Sequence, residues 1–202
     1  MARARPYDRQ TAIDAATQLF WEKGFVGTSL KDLEHVLSMK PGSIYAAFKS
    51  KEALYLMALD QYFTQSLTVL NAVNESDGSL LSALSDVLRR IGKNAPDDPL
   101  CRPCMVVKTL LETATVSAEI TDRCHLYLNN MIEGIKSVLD MAQAKGELPA
   151  DVDTAQLARR YQANLTALRL EAHVSQEPGN LDQLANDMAE EIERFRYRSE
   201  IA

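Results

Sequence analysis

Two stretches of this sequence hold residues whose types and spacing can do chemistry. The first runs from Thr28 to Leu54: Thr-Ser-Leu-Lys-Asp-Leu-Glu-His-Val-Leu-Ser-Met-Lys-Pro-Gly-Ser-Ile-Tyr-Ala-Ala-Phe-Lys-Ser-Lys-Glu-Ala-Leu. Ile44 and Phe48, four apart, share one face of a helix. With that face turned inward, Lys40, Pro41, Gly42, Ser43, Tyr45 and Ala46 are left pointing outward or at the helix start. An apolar heel behind small and hydrogen-bonding residues is what a helix lying in a DNA major groove requires. Gly42 and Ala46 let the backbone come close to base edges. The Ser43 and Tyr45 hydroxyls can donate to phosphate, and Lys51 adds a cation at the start of the next helix.

The second stretch is Cys101-Arg102-Pro103-Cys104, a C-x-x-C pair at the mouth of a predicted helix. A helix N-terminus and a nearby cation both lower a thiol pKa, so these residues fit a switch worked by oxidation or alkylation. The alternative is packing, the more usual role of a buried cysteine, with Cys104 a small buried apolar residue and Cys101 incidental. A structural metal is a poorer fit. Cys124 and His125 could complete a Cys₃His set with this pair, but neighbours on a helix diverge by about 100° and cannot easily face one ion. We therefore expect no metal and no cofactor. The histidines His35, His125 and His173 have no carboxylate or cysteine partner at useful spacing, that Cys124 neighbour apart. Nucleophile-elbow, zinc-protease, P-loop and dinucleotide glycine patterns are all missing, which argues against an enzyme. A small helical enzyme, or a dimeric binding module with no DNA role, is the alternative from another class.

The elements that must position these residues read as helices throughout. Ile13, Ala16 and Phe20 mark a first helix over 8–23 with Gly24 as its stop. Thr28 or Ser29 caps a second, faced by Leu30, Leu33 and Leu37, and Met39 plugs the turn. Pro41 opens the short third helix, and Ser50 caps a long fourth. Longer amphipathic segments follow, interrupted at Asn94-Ala95-Pro96-Asp97-Asp98-Pro99 and stopping at Gly146. One of them runs from about 103 to 115, and Asp153 with Gln156 resembles a capping box for another. The expectation is an all-α protein of about nine helices: a DNA-binding domain over 1–52, its helix-turn-helix at about 29–48, and a helical sensing and dimerisation domain over 53–202.

Composition permits this. Of 202 residues, 46% are hydrophobic and 25% charged, and only eight glycines and seven prolines interrupt the periodic segments. The net charge of −6 is unevenly spread: residues 1–60 hold eight Lys/Arg against seven Asp/Glu, and the remainder fourteen against twenty-one. Arg3, Arg5 and Arg9 crowd the N-terminus, and 38–51 carries Lys40, Lys49 and Lys51 with no acid. Local positive charge is what meets phosphate. No apolar run reaches the roughly 18 residues of a membrane span, and no apolar segment follows the basic start, so the expected location is the cytoplasm.

Residues from about 9 to 55 resemble the DNA-binding domain of the tetracycline-repressor (TetR) family of bacterial transcription regulators. The resemblance rests on Ala15-Ala16, Leu19-Phe20, Lys23-Gly24-Phe25, Thr28, Asp32-Leu33 and Gly42 through Leu54. It implies a homodimer, usually a repressor, released from a palindromic double-stranded DNA operator when a small-molecule inducer occupies the C-terminal domain. Carried over by position, Thr28, Ser43, Tyr45 and Lys51 match phosphate-contacting residues, Ser29 lies beside them, and Lys40, Pro41 and Gly42 open the base-reading helix. Ser38, standing where many members have a turn glycine, and Lys40-Pro41, replacing a frequent Ser-Lys, depart from the pattern. In the C-terminal half the stripes holding Leu165, Leu168, Leu184, Met188 and Ile192 read as a shared four-helix dimer interface, or else as internal core. Tyr127, Met131 and Tyr161 are candidate pocket lining or plain core.

Overall fold

The computed structural model describes residues 8–93, 95, 98–112, 114–174 and 178–197. Arg3 and Arg5, and Asn94, Pro96 and Asp97 of the expected loop, lie outside them. The described residues form nine α-helices and no strand: α1 Arg9–Gly27, α2 Leu30–Leu37, α3 Pro41–Phe48, α4 Lys51–Asn74, α5 Leu80–Gly92, α6 Met105–Leu111, α7 Ala118–Ala144, α8 Thr154–Val174 and α9 Pro178–Tyr197. A short 3₁₀ turn, Pro99–Cys101, precedes α6. None of these helices is long and apolar enough to cross a membrane.

Local chemistry explains most of the boundaries. Asp8 accepts from the Gln10 amide and starts α1. Gly24, the expected stop, breaks helical geometry at φ 73 and ψ 174, a conformation open essentially only to glycine, and a last turn continues to Gly27. Ser29 caps α2 in a complete capping box: its hydroxyl accepts from the Asp32 amide at 3.1 Å, and the Asp32 carboxylate accepts from the Ser29 amide at 2.8 Å. Asp153 caps α8 by accepting from the Gln156 amide at 3.0 Å. The segment expected over 103–115 is helical only from Met105 to Leu111. Its end tightens as the Glu112 amide turns to the Thr109 carbonyl in a three-residue step.

By packing, the chain divides into two compact units: residues 1–66 with 105–127, and 67–104 with 128–202. In the first, Ala16, Phe20, Leu33, Ile44, Phe48, Leu54, Tyr55 and Leu59 are fully buried, and Tyr55 meets the Phe20 ring edge-on at 4.8 Å. In the second, Leu80, Leu81, Leu84, Leu88 and Ile91 of α5 pack with Val138, Leu139, Ala158, Leu168, Leu181, Ala185 and Ala189. At Gly92 a methyl group would stand 2.6 Å from Ala185 Cβ, so glycine lets α5 and α9 come together.

That second core corrects part of the dimer expectation. Leu168 and Ile192 are 0% and 2% exposed within the single chain, and Leu165 is buried beside them. They line this chain's own interior, because the stripe facing α5 is the one that periodicity marks. Met188 packs partly against the same core. Leu184, together with Leu170 and Val174, stands on the outer surface.

Candidate nucleic-acid interface

The face expected to meet DNA is built by three helices of the first unit. Leu33 of α2 and Ile44 and Phe48 of α3 are buried, while Lys40, Gly42, Ser43, Tyr45 and Ala46 are exposed and Pro41 is half-covered. The i, i+4 division read from sequence is the one the packing adopts. Lys40 is the N-cap residue of α3 but supplies no side-chain cap, and Pro41 follows at the first helical position. Pro41 has no amide hydrogen and the Ser43 amide already donates to the Lys40 carbonyl at 2.9 Å, so the exposed Gly42 amide is the donor that the first turn offers at its positive dipole end, with no acid there to neutralise it.

Backbone conformation is unusual on both sides of α3. Among the described residues, the non-glycine positions with positive φ are Ser38 (52°) and Lys49 (70°), and these two bracket the helix. Ser38 ends α2 in a left-handed turn, its amide donating to Glu34 and His35 carbonyls and that of Met39 to Glu34. A glycine suits this position better, but a short polar residue tolerates it. Lys49 (φ 70, ψ −53) is the centre of a tight three-residue turn, the Ser50 amide donating to the Phe48 carbonyl at 2.8 Å. Turns of this type are rare and strained. Ser50 then caps α4, accepting from the Ala53 amide at 2.9 Å. Strain of about 1–3 kcal/mol per residue persists where surrounding structure fixes it, and such residues gather at working sites.

Lys51, at the start of α4, lies with its ammonium 4.4 Å from the centre of the Phe25 ring. Partial burial pushes its pKa down, against the neighbouring Asp32 charge, which holds it up. Asp32 is itself held well below the usual carboxylate range by hydrogen bonds from Lys23 and Ser29. The sequence reading missed Phe25 as a perch for Lys51. Its aromatic ring directly after the Gly24 stop was the available signal.

Thr28 departs from expectation. Its side chain is 1% exposed and its hydroxyl donates to the Gly24 carbonyl at 2.7 Å, so the group is spent on closing the α1 end. The other early candidate, Ser29, is exposed and serves α2 as its cap.

The remaining candidates separate. Tyr127, in the first unit, donates to the Asp60 carboxylate, which Arg123 Nη1 also meets at 2.6 Å, and its ring stacks on Phe63 at 4.2 Å. Asp60 also faces a cleft of about 380 Å³ lined by Gln10, Ile13, Met57, Gln61, Thr64 and Gln65. Tyr161 is a core residue of the second unit, its hydroxyl donating to the Leu84 carbonyl at 2.7 Å. Met131 is half-buried on α7. Cys101 and Cys104 are 7% and 4% exposed. Burial, reinforced by the Asp98 charge, pushes the Cys101 thiol up, opposite to the acidity a reactive thiolate needs. Arg90 and Arg169 only partly offset this.

Residues 12–58 match the family described as bacterial regulatory proteins, tetR family, and residues 81–188 match the tetracyclin repressor-like C-terminal domain. The chain is 27% identical over 187 residues to the HTH-type transcriptional repressor ComR of Escherichia coli (strain K12), covering 91% of this chain and 89% of that one. It is 31% identical over 106 residues to the repressor BdcR of the same organism, covering 52% and 54%. Among solved structures, a cysteine-substituted CifR, a TetR family transcriptional regulator complexed with 26-bp double-strand operator DNA, superimposes with a TM-score of 0.77 at 27% identity. The match covers 96% of this chain and 98% of that one. The reduced form of NemR from E. coli, at 18% identity, a TM-score of 0.79 and coverage of 93% and 95%, shares the fold.

Proposed function

Because this chain belongs to the TetR family of bacterial regulatory proteins, we propose that it is a dimeric transcriptional repressor that grips a palindromic operator through α3 and releases it when a small-molecule inducer occupies its C-terminal half. The observation that carries this reading is α3 itself. It presents an exposed Gly42-Ser43-Tyr45-Ala46 face and an acid-free, uncapped N-terminus between two strained residues, on a buried Ile44/Phe48 heel. A family of regulators also weighs against the enzyme alternative. We assign groove reading to Lys40, Pro41, Gly42 and Ala46, and phosphate contact to Ser43, Tyr45 and Lys51.

The functional division follows the sequence boundary, with 1–52 as reading head and 53–202 as sensing and assembly domain. For the dimer we assign the outer faces of α8 and α9, where Leu170 and Val174 are each 57% exposed and Leu184 is also uncovered. Large apolar residues grouped on the last helices fit an isologous contact between copies. The test is binding to promoter DNA, first the segment upstream of its own gene, at several salt concentrations. Saturable binding with steep salt dependence supports the reading; binding no tighter to any promoter than to random DNA refutes it.

A further inference from the structure

Helix α8 carries the buried polar side chains of Gln162 and Arg169. The two are 5% and 7% exposed, on the helix that also gives Leu157, Tyr161, Leu165 and Leu168 to the second unit's core. They are seven residues apart, so they lie on one stripe two turns apart. Each keeps one buried atom without a partner. Arg169 Nε and Gln162 Oε1 are buried with no hydrogen-bond partner, although Gln162 Nε2 still reaches Thr166 at 3.5 Å. Asp98, the acid that feels the Arg169 charge, is committed elsewhere: Arg90 takes both its oxygens, at 2.5 and 3.0 Å, and the Leu100 amide donates to it at 2.9 Å. The 3₁₀ turn Pro99–Cys101 packs on this helix.

A buried guanidinium N–H without an acceptor is costly, and a buried carbonyl oxygen without a donor is costly too. Protein interiors keep such groups where something else completes them. The fork of an arginine matches a carboxylate in bidentate fashion, and the glutamine oxygen calls for an N–H or O–H. Since both groups are buried within a single chain, a small molecule suits them better than a side chain from a second copy.

We propose that the Gln162–Arg169 stripe of α8 binds a small organic carboxylate carrying a hydrogen-bond donor, such as a hydroxyl, with its apolar part against the surrounding leucines. This rests on reading the C-terminal half as the sensor, and it assigns a chemical class to the inducer.

The test is thermal unfolding of the full-length protein with lactate, mandelate, salicylate and 2-hydroxyoctanoate, each against its neutral amide. At least one carboxylate should raise Tm by roughly 5 °C near saturation, and its amide should not. In Arg169→Met that response should vanish. The variant itself should be no less stable than the parent, because a buried N–H without an acceptor has gone. Arg169→Lys keeps the charge but loses the fork, and should weaken the response at least tenfold in concentration; if Arg169→Met does not fold, this variant decides. The proposal is overturned if no carboxylate stabilises the parent, if amides act equally, or if the deciding variant responds as the parent does. Gel shifts run alongside separate this from the function above. Arg169→Met should bind operator like the parent, and a carboxylate that stabilises both free and DNA-bound protein without releasing DNA would leave the anion site standing and remove its role in induction.

Discussion

Replacing Lys51 with alanine removes a cation whose position the fold fixes in advance. Its ammonium lies 4.4 Å above the Phe25 ring, a contact worth about 0.5–1 kcal/mol at an exposed site, so folding should suffer little. DNA binding should suffer more. One phosphate contact contributes about 0.9 to the slope of log affinity against log salt, and a dimer brings two copies, hence roughly 1.8. Between 50 and 200 mM salt the parent should therefore lose about 12-fold more affinity than Lys51→Ala. At low salt the variant should bind more weakly by on the order of 1 kcal/mol per protomer, irrespective of operator sequence. Fluorescence anisotropy on operator DNA across a salt series measures both quantities, and Lys51→Arg should keep the slope. Phe25→Leu supplies the control: without its perch the lysine keeps its charge, so the slope stays while affinity falls modestly. An unchanged slope in Lys51→Ala would show that the ammonium never leaves the ring for phosphate, and the assignment would fail.

Gly24→Ala should destabilise the protein by about 1–3 kcal/mol in urea unfolding, since its backbone sits where only glycine rests easily. A methyl there would also stand 2.8 Å from the Glu112 carboxylate; adding Glu112→Ala should recover only that part, and a loss below about 0.5 kcal/mol would deny the strain. Leu168→Glu buries a charge in the core and should cost about 4 kcal/mol or more. Leu170→Glu with Val174→Glu should leave the unfolding midpoint of the protomer nearly intact yet sediment as a monomer; a persistent dimer would place the interface elsewhere. For the thiols, burial raises the Cys101 pKa above its ordinary 9.0, so less thiolate is present at any given pH. Alkylation by iodoacetamide should be slow in the folded protein and still rising at pH 9, and diamide should release DNA no better from the parent than from Cys101→Ser/Cys104→Ser. A rate that levels off below pH 8 would restore the reactive thiolate.

Much of the DNA-facing apparatus was legible from sequence because it depends on neighbours in the chain. The cap at Ser29, proline at the start of α3, Ser50 at the start of α4 and the Gly24 stop are interactions over one to four residues. An eight-residue helix with two large apolar side chains four apart can bury only one face, so the exposure of Gly42, Ser43, Tyr45 and Ala46 follows from spacing. Thr28 was misread because a threonine before a helix can serve either as donor to a ligand or as a clasp on the previous carbonyl, and only the turn at Gly24 brings that carbonyl within 2.7 Å.

Tertiary packing decided the rest. Periodicity marks an apolar stripe without saying what covers it, and the contacts of α5 with α8 and α9 turned Leu165, Leu168 and Ile192 inward and left Leu170, Val174 and Leu184 outside. A thiol beside an arginine in sequence looks acidic, yet burial and the Asp98 charge raise the Cys101 pKa, and the cations that partly offset them are Arg90 and Arg169, remote in sequence. Gln162 and Arg169 look in sequence like ordinary solvated residues one place beyond Tyr161 and Leu168. Their burial follows from which side of α8 the core occupies, a property set by contacts many residues apart that no local spacing records.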